Sequence, residues 1–394
     1  MVSRARSAKI AIQDAGTNRC LHERRVAPGE YPNLLAFILR RVLVMTLTAL
    51  VLTFIVFFLT NLPPNLEKLA KSEASARMSD EDVGRWIQNN GYGTSVFRRY
   101  GEWLGVVPGW VKPTDQGEIR GRCIPIGTDP ALAPRYCGLF QGTWGKSTVF
   151  KEPVLKILGR GLGHTGWLML WVMIVMVPTA LLMGVLAGMR EGSRTDRVLS
   201  TAAIATTATP EYVSGVILVA VFASATAGVS PWLAANGWIS TKTLFQGTAT
   251  SAMDGITFWN FALPVITIAL YGIGYIARMT RASMTEVMTQ QYIRTARLKG
   301  VPFRDVVTRH ALRNALIAPF TVIMLQFPWL LNGVVIVETL YNYKGFGWTL
   351  VQAAGNNDIE LLLGCSVIAV LVVLVTQLIS DIGYVFLNPR IRLS

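Results

Sequence analysis

Long uncharged apolar runs alternate along the chain with shorter stretches in which its charges collect. Six runs stand out: 42–62, 161–189, a run centred on 212–229, 255–277, 314–337 and 361–387. The first holds 21 residues without a charge and is entered through Arg40 and Arg41. The second holds 29 residues between Arg160 and Arg190. Glu211 stands at one end of the third, Asp254 and Arg278 flank the fourth, Arg313 and Glu338 flank the fifth, and Asp381 alone interrupts the sixth. An α-helix crosses about 30 Å of hydrocarbon in about 20 residues, so each run is long enough to span a bilayer. Pro178, Pro264, Pro319 and Pro328 lie inside the runs, where neighbouring helices can satisfy the backbone groups a proline frees. The pattern predicts an all-α polytopic membrane protein with six transmembrane helices.

Between the first two runs lies a long polar block, 63–163. Ser79-Asp80-Glu81-Asp82 has the form of a helix start, a capping serine followed by acids near the positive end of the helix dipole. Val83, Trp86 and Ile87 give that helix an apolar stripe, and Asn89-Asn90-Gly91 ends it. A second stripe follows at Val96, Phe97, Tyr100, Trp103 and Leu104. Two short amphipathic helices packed on the end of the bundle are expected.

Composition agrees with the pattern. Of 394 residues 52% are hydrophobic and 15% charged, and the mean hydropathy is +0.41. Soluble proteins carry about 25% charged residues. Ten of the 23 acidic residues fall in 63–163, leaving the apolar runs nearly free of them. A cytosolic enzyme, a disordered regulator and a small disulfide-rich secreted domain are excluded. The net charge of +14 would suggest nucleic acid in a soluble chain, but here its distribution sets orientation. Segments 190–202, 278–313 and the C-terminal tail hold thirteen Lys and Arg, against two in 230–254 and 338–360. That asymmetry places both termini in the cytoplasm and makes 63–163 a large external loop between helices 1 and 2. Forty-one residues precede the first run, which is too long for a signal core and is expected to be a retained signal-anchor.

Candidate chemistry is sparse. Gly142-Thr143-Trp144-Gly145-Lys146-Ser147-Thr148 ends like a phosphate-binding loop, but the required earlier glycine is Phe140. The three histidines, His22, His164 and His310, show no metal-ligand spacing, and no serine sits in a Gly-x-Ser-x-Gly turn. No catalytic residue, metal site or cofactor is expected. Cys123 and Cys137 stand in a Pro/Gly-rich stretch on the oxidising side, either bonded to each other or left as two thiols in a loop. Cys20 and Cys365 are not expected to pair. Asp381 is the best-placed intramembrane acid; it either contacts a partner helix or gate, or snorkels to the inner interface.

The segment 278–313 carries helical periodicity rather than loop composition. Residues 285–299 contain no Gly or Pro and stop at Gly300, and Pro302 starts a second helix from Phe303 to about Leu316. A helix–turn–helix bent at Gly300 is predicted, serving either as a basic anchor on anionic lipid or as a docking element for a cytoplasmic partner.

Tyr292-Ile293-Arg294-Thr295-Ala296-Arg297-Leu298-Lys299-Gly300, followed by Arg309-His310-Ala311-Leu312-Arg313-Asn314-Ala315-Leu316-Ile317, resembles the coupling loop of ABC importer permeases of the dipeptide/oligopeptide/nickel branch. Arg294, Thr295 and Ala296 occupy the Glu-Ala-Ala positions of the general motif, with Arg for Glu, and Gly300 occupies its glycine; Arg297 and Lys299 complete the segment. Phe37-Ile38-Leu39-Arg40-Arg41, Gly145-Lys146-Ser147, Pro153-Val154, Glu338-Thr339, Gly345-Phe346-Gly347 and the ending from Asp381 to Arg392 are similar to the same branch. Asn388 and Pro63-Pro64-Asn65 depart from it. The likeness covers 34–392 and implies a cytoplasmic tail over 1–33, helix 1 within 34–62, the external loop 63–163 and a permease core 164–392 that includes the coupling loop 278–313. It further implies a permease subunit forming half of an ATP-driven pathway for peptides or peptide-like small molecules in the bacterial inner membrane. The implied partners are a second homologous permease, two ATP-binding subunits that hydrolyse the ATP, an external substrate-binding protein and the lipid bilayer, with no nucleic acid. A stand-alone secondary transporter is the alternative, although neither internal repeats nor a midplane ionisable cluster is visible.

Overall fold

The computed structural model describes residues 34–113, 119–124 and 129–387. The tail 1–33 with Cys20 and His22, and 388–394 with Asn388, Arg390 and Arg392, lie outside the described residues.

Two long helices form the spine: α5, Val154–Gly188, and α9, Phe258–Met288. Glycines let them approach closely. A Cβ on Gly184 would stand 2.6 Å from the Ala277 carbonyl, and one on Gly188 would stand 2.7 Å from that of Arg281. Close backbone contact of this kind is how helices associate where apolar burial alone gives no preference. Leu168, Val172, Met176 and Ala180 of α5 are buried against Ile268, Ala269 and Ile276 of α9. Helix α6, Arg194–Ala208, packs on α9 where Gly274 meets the Ala203 carbonyl.

The apolar run on 212–229 is not one helix. Helix α7, Glu211–Phe222, is bent 107° from α6, and the chain then turns before a short α8, Val229–Ala235. Pro210 sets the bend, because the residue before a proline is driven out of the helical region, and Thr209 is extended (ψ 123°). The run ends where Ser224 Oγ accepts from the amides of Thr226 and Ala227, and Gly228 takes a positive φ of 77°.

Helix α1, Leu34–Thr60, lies against α15, Ile359–Leu387. Arg41 Nη2 stands 2.6 Å from Asp381 Oδ2 as an ion pair without hydrogen-bond geometry. Among the described residues, α5, α9 and most of α1 and α15 are four helices long and apolar enough to cross a membrane; α6 with α7 makes a fifth if the bent pair is one span.

Residues 63–153 cap one end of the bundle. They comprise α2 (Pro63–Glu73), α3 (Asp80–Asn89), α4 (Val96–Leu104) and a small hairpin of β1 (Val111–Pro113) with β2 (Ile119–Gly121). Ser79 and Asp82 form a reciprocal capping box at the start of α3. Leu66, Leu69, Trp103 and Leu104 bury themselves on Phe57 of α1 and on Ile359, Leu363 and Val367 of α15. Cys123 and Cys137 are joined in a disulfide with their Cα atoms 5.5 Å apart. The segment that looked like a phosphate loop has a packing role: Ser147 Oγ donates to Asp358 Oδ2 (2.5 Å), and the Val149 amide donates to the same oxygen (3.2 Å).

At the other end, the predicted single helix over 285–299 is two. Helix α9 stops at Met288, and α10, Gln291–Leu298, begins after Gln290 turns extended (ψ 149°). The chain continues through α11 (Phe303–Asp305), a π-helical stretch (Val306–Ala311) and α12 (Leu312–Ala315) into α13 (Ile317–Leu340), followed by α14 (Phe346–Gly355).

Candidate functional site

Helix α10 is held by few side chains. Ile293 is fully buried and Ala296 nearly so, packed with Met284, Val306, Val307, Ala311 and Ala315. That cluster explains the break at Thr289–Gln290, since a continuous helix would carry Ile293 past its pocket. Thr289 Oγ1 donates to the Glu286 carbonyl (2.7 Å) and eases the stop. The helix closes in a Schellman motif: the Gly300 amide donates to the Arg297 carbonyl (3.0 Å) and the Val301 amide to that of Ala296 (3.2 Å). Gly300 has φ 75°, the left-handed conformation that glycine adopts without cost.

What α10 leaves outside is a continuous polar and apolar face. Arg294, Thr295, Arg297, Lys299 and Gly300 are exposed, and Leu298 is 81% exposed. The guanidinium of Arg297 lies 5.8 Å from the centre of the Phe303 ring, whose other cation is Arg190 at 5.4 Å. The Asn314 amide donates to the Tyr292 hydroxyl (2.9 Å), fixing the start of α10 to α12.

The face is mechanically joined to the bundle. Ser283 Oγ donates to the Ala315 carbonyl (2.8 Å), tying α9 to α12. Arg281 Nε and Nη2 donate to the two oxygens of buried Asp196 (2.5 and 2.8 Å), clamping α9 to the first turn of α6. Asp196 also accepts from the Gly192 amide (2.8 Å) and from Ser200 (3.0 Å), so its remaining lone pairs are used.

A second polar centre lies at the far end of α13. Glu338 is fully buried; its Oε1 accepts from Thr165 (2.5 Å) and its Oε2 from the Trp348 amide (3.0 Å). Thr165 Oγ1 in turn accepts from the Phe346 amide (2.8 Å), so one carboxyl and one hydroxyl join α5, α13 and α14. Tyr343 donates to the His164 carbonyl (3.0 Å) beside them.

Residues 180–393, more than half of the chain, match the family described as "Binding-protein-dependent transport system inner membrane component". The chain belongs to that family. Similar proteins include a probable peptide ABC transporter permease of Sinorhizobium fredii, 34% identical over 64% of this chain and 77% of the relative. The di/tripeptide transport system permease DppB of Pseudomonas aeruginosa is 34% identical over 68% of this chain and 83% of its own length. The glutathione transport system permease GsiC of Escherichia coli is 31% identical over 64% and 76%. The protein is thus an inner membrane permease component of a transport system rather than its catalytic part.

In this permease the residues singled out from the sequence fall in three places. Arg294, Thr295 and Arg297 of α10 are exposed together with Lys299 and Gly300 of the turn that follows it, whereas Ala296 faces inward and serves packing. Cys123 and Cys137 belong to the cap formed by 63–153, and Asp381 pairs with Arg41 between α1 and α15. Leu298 and Glu338 are named in the sequence motifs without a role of their own. Leu298 left a signal, an apolar residue out of phase with Ile293 and Ala296 on an amphipathic helix. Glu338 flanks an apolar run, and only the approach of α5 and α14 makes it a buried junction. Among the described residues no group of three or more His, Cys, Asp or Glu could hold a metal ion.

Proposed function

We propose that this permease forms half of an inward pathway for peptides or peptide-like small molecules, beside a second homologous permease. Two ATP-binding subunits hydrolyse ATP and act on it through α10, and an external substrate-binding protein delivers the cargo. The α10 end is cytoplasmic in this reading, and the cap formed by 63–153 is external. Six crossings result when α13, 24 residues long, is counted with the four long helices and the α6–α7 pair.

The observation that carries the coupling role is the face of α10 itself. Two buried anchors hold the helix while Leu298, Arg294, Arg297 and Lys299 are left for another surface. A projecting leucine ringed by arginines suits a protein groove, where a few buried side chains, arginine among the commonest, carry most of the affinity. The Asp196–Arg281 clamp and the Ser283–Ala315 contact would carry a displacement of α10 into α6, α9 and α13. Peptides are favoured as cargo because the relatives above are named for peptide, di/tripeptide and glutathione transport.

Leu298→Asp tests the coupling role with Ile293 left in place. The expected result is loss of the ATP-binding subunits on purification and at least a tenfold fall in uptake of a labelled tripeptide, with unchanged helix content. Retention of the subunits and of uptake would refute α10 as the coupling element. A surface that merely anchors on lipid would tolerate charge-neutral exchanges within 294–300, and a coupling helix would not.

A further inference from the structure

Where α1 and α15 meet the cap lies a partly open cavity of about 220 Å³. Phe57, Leu363, Trp86, Tyr92, Trp103 and Trp110 line it. Gly91 allows the close approach of Trp110: a Cβ there would sit 2.3 Å from the indole nitrogen. The space is large enough for several waters or for one amino-acid-sized group.

Charges of both signs line this cavity, near enough to attract one another but without Arg99, Arg122, Glu73 and Glu360 closing into ion pairs. Arg99 is only 8% exposed; its Nη1 donates to Asn61 Oδ1 (3.0 Å), and Tyr92 lies under its guanidinium at 5.9 Å. Its Nε is buried with no hydrogen-bond partner. Glu102, the nearest acid in its own helix, forms its ion pair with Arg98 (3.1 Å). Arg122 is held at the rim because its amide donates to the Trp110 carbonyl (3.0 Å), next to the disulfide at Cys123. Glu73 and Glu360 line the same space. Among the described residues, no ion pair joins Arg99, Arg122, Glu73 or Glu360 to another described residue. Burial works against the charge of Arg99 and lowers its pKa, yet a guanidinium stays protonated, so its unmet N–H calls for an acceptor.

We propose that this cavity is a receptor site for a small zwitterion, an amino acid or the free ends of a short peptide. Its carboxylate is taken by Arg99 and Arg122, and its ammonium by Glu73 and Glu360. A guanidinium presents paired donors that match a carboxylate, and aromatic walls accept both the aliphatic part and the ammonium. The site rests on the reading of the cap as external and of the cargo as peptide. It gives the permease its own contact with a substrate before translocation. An ethanolamine phospholipid headgroup carries the same pair of charges, so the test separates the two sources.

The transporter assembly without its binding protein is placed in nanodiscs of phosphatidylglycerol alone and titrated with dialanine, read by calorimetry and by tryptophan fluorescence. Saturable binding is expected. N-acetylation or C-amidation of the peptide should each weaken it at least tenfold, and phosphoethanolamine should not displace it. Arg122→Met should weaken it at least tenfold without changing the melting temperature, and Arg99→Lys, which keeps the charge but loses the fork, should also weaken it. Absence of saturable binding, equal binding of the doubly blocked peptide, binding undiminished by both substitutions, or full displacement by phosphoethanolamine would each overturn the proposal, the last by assigning the cavity to lipid. Peptide uptake that persists without cavity binding would remove this site and leave the transport reading standing. Cavity binding without peptide uptake would do the reverse.

Discussion

Helices α10 and α4 are written in nearly the same way, as eight- and nine-residue amphipathic segments, yet the protein uses them oppositely. Helix α10 buries only Ile293 and Ala296 and turns its cations outward. Helix α4 buries five of nine residues, including the charged Arg99 and Glu102. The difference lies in the neighbours. Helix α4 is enclosed by α1 and by the segment at Leu139–Gln141, where Gln141 donates to the Gly105 carbonyl (3.0 Å), and Tyr100 reaches Thr53 (2.8 Å) and the Leu50 carbonyl (3.1 Å) on α1. Helix α10 has the bundle on one side only. A short amphipathic pattern therefore predicts that a helix will dock, and the number of elements that close around it decides whether it becomes a wall or a presented surface.

The contrast can be broken first at the deeper of the two α10 anchors. Ile293→Ala removes a fully buried side chain from a helix with only two anchors, at a cost of about 2–5 kcal/mol. Amide exchange over 291–301 should accelerate at least 30-fold while exchange in α4 stays unchanged; equal protection in both would show that α10 is held by more than its buried face. Reduction of Cys123–Cys137 acts on the opposite end. Closing a loop of this length contributes about 3 kcal/mol, so proteolysis within 109–137 should quicken on reduction while α10 remains protected. A pair of glycine substitutions sharpens the comparison further. Gly91→Ala meets both a positive φ of 81° and the Trp110 ring, whereas Gly300→Ala meets the positive φ alone, in open space. The first should lower the melting temperature clearly more than the second, whose cost is about 1–2 kcal/mol; equal shifts would mean that Trp110 moves freely. The smallest effect is expected from Ser79→Ala at the capping box of α3, about 1 kcal/mol, visible as faster exchange in the first turn of that helix.

Much of this architecture is legible in the sequence because a membrane helix must be a long apolar run. Helices α1, α5, α9 and α15 follow from run length alone, and α3 and α4 from their stripes and the Ser79 cap. The α6–α7 bend is not legible in hydropathy: 190–202 reads as a short basic loop, whereas Arg194–Ala208 is helical, and the bend depends on one X-Pro step at Thr209-Pro210. The break between α9 and α10 carries no Gly or Pro, since its cause is the distant cluster around Val306 and Ala311. The α10 face was readable from its motif, but the inward turn of Ala296 and the exposure of Leu298 required the packing partners. The zwitterion cavity had no sequence signal, because its charges come from α2, α4, the hairpin and α15 and meet only in the folded chain.

The π-helical stretch from Val306 to Ala311 has a consequence for how α10 is tied to α13. An α-helix advances 1.5 Å and turns about 100° with each residue, and a π turn holds one residue more than an α turn. The direct covalent link from the presented helix to α13 therefore contains one residue of slack. Tightening that turn to α-helical spacing would move the surplus residue along the helix like a wrinkle along a carpet. The two ends of the link would be rephased by about 100° without any packed helix having to unfold.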